Sequence, residues 1–266
     1  MTNLPYRVDR SVVIHAAPDT VFRFFTDSAR WAKWWGTGST IDPRPGGKVF
    51  ILHPGAVEVS GEVLEIRPPE RIVFTYGFAS GKPIPPGSSR VTIRLEPIPS
   101  GTRLQLLHEF AEAAPRDEHI QGWRFQLSLF SNVVTNEVYA NAASVVDEWF
   151  AAWIISDEQA RQKALAKIVT PGIQFRDRFS LLDGIDDLTS HIGASQRFMP
   201  GMSLERKGNV RHCQGTVLAD WIAKGPDGQP RMDGTSVCVW TGRADRIGYG
   251  RYFLKLVRSL ICSIQL

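Results

Sequence analysis

The residue best placed to do chemistry is Asp177. Residues 173–179 read as a strand, and alternate residues of a strand share a face. Ile173, Phe175, Asp177 and Phe179 would line one face, three of them apolar. A carboxylate in that company is either paired or has a raised pKa. Arg176, Arg178 and Arg197 are its candidate partners. With a raised pKa it would suit a general base that takes a proton next to a carbonyl. That reaction also needs a donor for the developing enolate. No Tyr lies between Tyr139 and Tyr249, which leaves His191, Gln214, Trp221 and Ser236 as donors. His191 flanks the apolar stripe of Leu188 and Ile192, so a catalytic and a core-edge role both fit it.

A second group of residues could bind without reacting. His53 shares a strand face with Val49 and Ile51, and His108 with Leu104, Leu106 and Phe110. Both histidines could enter a cavity as hydrogen-bonding groups or be satisfied filler. No third ligand at a recognisable spacing joins them, so no metal is expected. Eight tryptophans suit the walls of apolar pockets as well as cores. Trp35, Trp123, Trp153 and Trp221 are the candidate walls, with Ser236 as a further contact. Phosphate-loop, dinucleotide-fold, zinc-protease and serine-hydrolase signatures are all missing from the sequence, so no cofactor is expected.

The elements that must position these residues fall into two series. The first has a strand over 8–15 and a helix opening at Ala17-Pro18-Asp19-Thr20, with Val21, Phe22 and Phe25 at helical spacing. Alternating runs at 48–53, 61–66, 71–76, 90–96 and 103–110, separated by Pro/Gly turns, predict an antiparallel meander. A long helix over about 117–139 repeats Ile120, Trp123, Leu127, Phe130 and Val134 on one face. A curved sheet wrapped around that helix would bury the face.

The second series opens with a helix carrying Val145, Val146, Trp149, Phe150 and Trp153. Ser156-Asp157-Glu158-Gln159 has the form of a capping box for a helix reaching about 169. The strand at 173–179, a short helix after Gly184, and strands within 203–210, 213–224 and 236–240 follow. Gly225-Pro226-Asp227-Gly228 is the hairpin turn. Helices followed by a bent sheet predict an α+β cone. The fold class is α+β throughout, with domains at 1–139 and 140–266. At the end of the chain, Phe253, Leu256, Val257, Leu260, Ile261 and Ile264 fit helical spacing, with basic residues between them. This atypical tail, 247–266, reads as a packed last element or as a basic amphipathic helix.

Residues 7–137 resemble the activator of heat-shock protein 90 ATPase-like family of the START-like (SRPBCC) helix-grip superfamily. The resemblance is carried by Ala17-Pro18, Phe25-Thr26-Asp27 and Trp31-Ala32-Lys33-Trp34-Trp35-Gly36. Arg44-Pro45-Gly46-Gly47, Gly61-Glu62-Val63-Leu64-Glu65-Ile66 with Pro68-Pro69, Gly101-Thr102-Arg103-Leu104, His108-Glu109 and Gly122-Trp123 complete it. It implies a helix-grip fold and, as in many small relatives, an apolar cavity between sheet and helix. Residues 140–246 resemble SnoaL-like, nuclear transport factor 2-like domains. Here the shared features are the Trp149 helix, Phe175-Arg176-Asp177, Gly184-Ile185-Asp186-Asp187-Leu188, Asp220-Trp221 and Gly234-Thr235-Ser236. That resemblance implies a cone with its own cavity and, in isomerase-like relatives, an acid at the position of Asp177 as the base. Those relatives often carry an acid after Gly-Thr, where this chain has Ser236. Cone folds of this type also imply a homodimer.

Composition narrows the classes further. The chain has 266 residues, 43% hydrophobic and 22% charged, enough to fill real cores. Its net charge of +4 arises beyond residue 242, from Arg243, Arg246, Arg251, Lys255 and Arg258 against Asp245. A nucleic-acid binder spreads its basic residues over a folded face, so no nucleic-acid partner is expected. Three cysteines, Cys213, Cys238 and Cys262, form no CxxC pair and suit reduced thiols. With no apolar leader and no membrane-length apolar run, a cytoplasmic protein is expected. The leading expectation is a binder of small hydrophobic or aromatic molecules in internal cavities. The alternatives are a cofactor-independent isomerase, cyclase or lyase using Asp177, and a chaperone accessory or stress-response protein.

Overall fold

The computed structural model describes residues 3–177 and 179–239, and the backbone of 254–256. The architecture is α+β, and the chain divides into two compact units, Met1–Glu137 and Val138–Leu266.

In the first unit β1 (Tyr6–Ile14) is followed by two short helices, α1 (Pro18–Arg23) and α2 (Ser28–Trp35). The meander comprises β2 (Thr40–Ile41), β3 (Lys48–His53), β4 (Val57–Arg67), β5 (Arg71–Tyr76), β6 (Ser89–Ile98) and β7 (Gly101–Phe110). These strands form one antiparallel sheet in the order β1-β7-β6-β5-β4-β3-β2. Helix α3 (Ala113–Val138) begins four residues before the expected start. Pro115 does not prevent this, because the N–H groups of a first turn have no intrahelical partner to lose. Trp123, Leu127, Phe130 and Val134 of α3 are buried, as their spacing predicts. Phe130 lies against Phe24, Phe25 and Trp34, with ring centroids 4.7–5.9 Å apart.

Helix α2 carries three tryptophans in eight residues, all buried. The Asp27 carboxylate caps it, accepting from the Arg30 N–H at 2.9 Å. Trp31 donates its indole N–H to the Phe50 carbonyl, and Trp34 donates to the Phe24 carbonyl. The indole nitrogen of Trp35 is buried and has no hydrogen-bond partner.

The second unit opens with α4 (Ala142–Ala152) and α5 (Glu158–Ile168). The expected capping box is replaced by a single cap, in which Asp157 accepts from the Ala160 N–H at 2.7 Å. Next come β8 (Gln174–Arg176), β9 (Leu181–Asp183) and α6 (Ile185–Phe198). The remaining strands are β10 (Ser203–Arg206), β11 (Arg211–Cys213), β12 (Thr216–Lys224), β13 (Pro230–Val239) and β14 (Leu254–Leu256). Their order is β10-β12-β13-β14-β8-β9, with β11 also on β12 and β14 parallel to β8.

Two local expectations change. The strand expected over 173–179 stops at Arg176, because the chain turns through 177–180 into β9. Phe179 is consequently 85% exposed and does not share the buried face of Ile173 and Phe175. The strand expected over 213–224 is broken at Gln214, where φ is +47°. Arg178, Trp240 and Cys262 lie outside the described residues, as does the tail except for the backbone of β14, which is a strand.

Candidate functional site

Helix α3 and the sheet of the first unit enclose a cleft of about 600 Å³. One wall is α3, where His119, Gly122, Trp123 and Gln126 recur at three- and four-residue steps and so share a helix face. The C-terminal turn of α2 supplies Trp34 and Trp35, and the strands supply His53 and Tyr76. Trp35 meets Trp123 and His53 edge to face, with centroids 5.7 and 5.6 Å apart. Lys33, Glu118 and the 69% exposed Phe125 also line the cleft. Apart from its chain neighbours and the backbone of its own helix, no heavy atom lies within 4 Å of where a side chain at Gly122 would begin, so this glycine keeps space open.

A proton chain behind the wall fixes Trp123. Its indole N–H donates to His108 Nδ1 at 2.9 Å. An indole nitrogen can only donate, so Nδ1 must carry the lone pair and Nε2 the proton. His108 Nε2 then donates to Ser89 Oγ at 2.9 Å, and Ser89 donates to the Tyr76 carbonyl at 2.7 Å. Every group in the chain has a partner, and burial holds His108 neutral with its pKa well below the ordinary value. His108 sits behind the cleft and orients a wall residue without lining the cleft itself.

Two further histidines of the unit, His53 and His119, line the cleft. His53 Nε2 lies 3.5 Å from the Tyr76 hydroxyl, a long hydrogen bond. Burial, with some contribution from His119, lowers the His53 pKa. His119 donates Nδ1–H to the Pro115 carbonyl at 2.7 Å. Its pKa is lowered by burial, against the opposing pull of that bond and of Glu118. Burial also pushes the Tyr76 hydroxyl upward. All four rings are therefore neutral near neutral pH. Lys33 is held at 2.6 Å by Glu137, which also takes Arg30 at 2.8 Å, and this ties α2 to the end of α3. Although burial opposes it, these two cations hold the Glu137 pKa low.

Of the sequence candidates, Trp35, His53 and Trp123 meet in this cleft. His119 and Tyr76 were missed, though His119 precedes Trp123 by four residues and so had to share its face. Among the described residues of the second unit, the candidates lie at several places. Trp153 and Trp221 line a hollow of about 60 Å³ with Met199, Met202 and Met232. Asp177, His191 and Ser236 are not among the residues lining it. The Asp177 carboxylate accepts from the Phe179 N–H at 2.8 Å, and the Asp177 N–H donates to the Ser180 carbonyl, so this acid holds the 177–180 turn. His191 Nε2 lies 3.5 Å from Ser180 Oγ, and its ring stands beside Trp153 and Phe175. Ser236 is buried on β13, opposite Ala219. Among the described residues no group of three or more His, Cys, Asp or Glu could hold a metal, and no helix is long and apolar enough to cross a membrane.

The first unit thus has a sheet and a long helix enclosing an aromatic cleft. Residues 15–135 match the family model described as "Activator of Hsp90 ATPase homolog 1-like protein", less than half of the chain. Solved structures similar to this chain include a protein from Mesorhizobium loti, at 20% identity and a TM-score of 0.44, covering 49% of this chain and 98% of that one. The Aha1 dimer from Colwellia psychrerythraea is 15% identical with a TM-score of 0.40, covering 46% and 90%. A "putative isomerase of the SnoaL-like family" from Agrobacterium tumefaciens is 20% identical with a TM-score of 0.37, covering 40% and 92%. No curated protein matches the chain.

Proposed function

We propose that the first unit binds a small hydrophobic or aromatic molecule in the cleft between α3 and the sheet. The observation that carries this reading is the cleft itself: about 600 Å³, walled by Trp34, Trp35, Tyr76, Phe78 and Trp123. Ligand sites are concave and mostly apolar, with a few polar groups that fix orientation. His53 and His119 are such groups here. The rings that wall the site are neutral, which favours uncharged ligand groups against them, while the charged Lys33 and Glu118 also line the cleft. The Trp123–His108–Ser89 chain supports binding in another way, by holding a wall residue in one orientation before any ligand arrives.

Chemistry at Asp177 gains no comparable support, since the turn of the chain already uses that carboxylate. Native mass spectrometry of the full chain as purified, followed by denaturation and identification of what is released, tests the proposal. A discrete small molecule is the expected result. A clean mass, together with no heat on titration of apolar aromatic probes by calorimetry, would overturn it.

A further inference from the structure

We infer that the cleft selects ligands carrying a hydroxyl group, and that Nε2 of His119 reads that group; the inference rests on the ligand-binding reading above. The Pro115 carbonyl can only accept, so the 2.7 Å contact places the imidazole proton of His119 on Nδ1. Burial keeps the ring neutral, so Nε2 is left as a lone pair. Among the described residues Nε2 has no hydrogen-bond partner, and it is not one of the unpartnered atoms sealed from solvent. It therefore offers a neutral acceptor on the wall of a cleft whose rings include Trp35, Phe78 and Trp123 and whose polar lining also includes Lys33, His53, Tyr76, Glu118 and Gln126.

This arrangement sorts ligands by their hydrogen atoms. A hydroxyl donates to Nε2 and replaces the water it displaces. An ether, ketone or carboxylate presents only lone pairs and leaves Nε2 desolvated without a partner. A hydrocarbon does the same. Of the other polar groups on the wall, the Tyr76 hydroxyl faces His53 at 3.5 Å, the Gln126 amide nitrogen donates to the Trp34 carbonyl, and Glu118 is exposed to water, which leaves Nε2 of His119 as the open ring acceptor. The expected ligand is a neutral ring compound with a hydroxyl at its edge.

The test compares naphthol, methoxynaphthalene and naphthalene on the full chain by isothermal titration calorimetry, at about pH 7.5, where a histidine of lowered pKa is neutral. Naphthol should bind roughly 10- to 100-fold more tightly than either of the others, the penalty for one unpaired acceptor. His119→Phe should remove that preference from both sides, because methoxynaphthalene no longer strands an acceptor and should bind more tightly than to the wild type, while naphthol loses its partner. In the wild-type protein, the ring-nitrogen NMR signal of His119 should shift with naphthol and not with methoxynaphthalene, a readout that does not depend on the variant folding. Equal affinity for all three probes would overturn hydroxyl selection while sparing the binding site. A preference that survives His119→Phe would assign it to another group. No binding of any probe would remove the ligand-binding reading and this inference with it.

Discussion

Each unit brings two tryptophans together, and the space beside them differs tenfold. Trp35 and Trp123 border a cleft of about 600 Å³, whereas Trp153 and Trp221 border a hollow of about 60 Å³. The cause lies in the partner strand or helix. Beside Trp123 on the same face of α3, Gly122 adds no side chain and the space stays open. In the second unit Gly234 serves the reverse purpose: Trp221 stands directly across from it in the β12–β13 ladder and lays its ring over the bare backbone. A side chain at Gly234 would begin 2.6 Å from that ring. One glycine keeps space empty and the other lets a tryptophan fill it. A fold that can enclose a cavity does not ensure one, since packing at a few positions decides.

If Trp221 fills the second unit, removing it should make the two units alike. Trp221 is 2% exposed, and Trp221→Ala should cost about 3–5 kcal/mol, the largest effect expected here. Denaturant unfolding measures the loss. The void left by the indole should stay dry and admit benzene, which would raise the melting temperature of the variant and not of the wild type. A loss below about 1 kcal/mol would mean that the hollow collapses or that Trp221 was never a filler.

The units also differ in how they bury a polar group. His108 is neutral and sits in a chain that uses both ring nitrogens. Arg161, 2% exposed, carries its charge into the second unit. It donates to the Thr189, Ile155 and Ser156 carbonyls at 2.8–3.2 Å, and among the described residues no carboxylate pairs with it. Those carbonyls belong to the α4–α5 loop and to α6, so Arg161 fastens one to the other. Arg161→Met keeps the stem and removes every donor, and should cost about 2–4 kcal/mol. Gly193→Ala should reproduce part of the loss, because its methyl group would stand 2.7 Å from the guanidinium. Unchanged denaturation midpoints for both variants would show that water serves these carbonyls equally well.

How much of this was legible in the sequence follows the range of the interactions involved. The α+β class, the meander and the buried face of α3 could be read because they depend on local periodicity and turn residues. Trp35, His53 and Trp123 could be named because each lies on an apolar stripe. The roles of His53 and His108 could not be separated. Both share a strand face with apolar residues, and only the Ser89 hydroxyl and the Trp123 indole, brought from other elements, make His108 internal. The strand face given to Asp177 rested on a strand drawn too long, since nothing in 173–179 marks the turn except the acid itself, which holds it. His119 escaped notice because its tautomer depends on Pro115, a residue expected to lie outside the helix.

The neutral histidines of the first unit predict its acid sensitivity. His53, His108 and His119 all have pKa values below 6.5 in the folded protein, mainly through burial. Below pH 6.5 the unfolded chain takes up protons that the folded unit refuses. Stability is therefore fully present above the unfolded value and declines as the pH falls from it towards the folded values. For His108 the slope should approach 1.4 kcal/mol per pH unit (about one proton) over that window. His108→Gln offers an amide that accepts from Trp123 and donates to Ser89 without titrating. Its denaturation midpoint should fall less steeply with pH than that of the wild type, and parallel profiles would show that His108 is not the group responsible.

The smallest change in stability sharpens the comparison most, because it separates the space of the cleft from the soundness of the fold. Gly122 lies within α3, in a helical conformation with open space where a side chain would begin. Glycine in a helix interior costs about 0.5–1 kcal/mol relative to alanine. Gly122→Ala should therefore stabilise the first unit by up to about 1 kcal/mol. Gly122→Leu should keep a folded, undiminished melting transition while its side chain occupies the cleft, and naphthol binding should weaken at least tenfold. A structural glycine would give the opposite pattern, with stability lost and binding lost only in proportion. A glycine kept for the ligand gives better folding with poorer binding, and that divergence between two measurements on one variant would show that the open cleft is maintained at the expense of the helix.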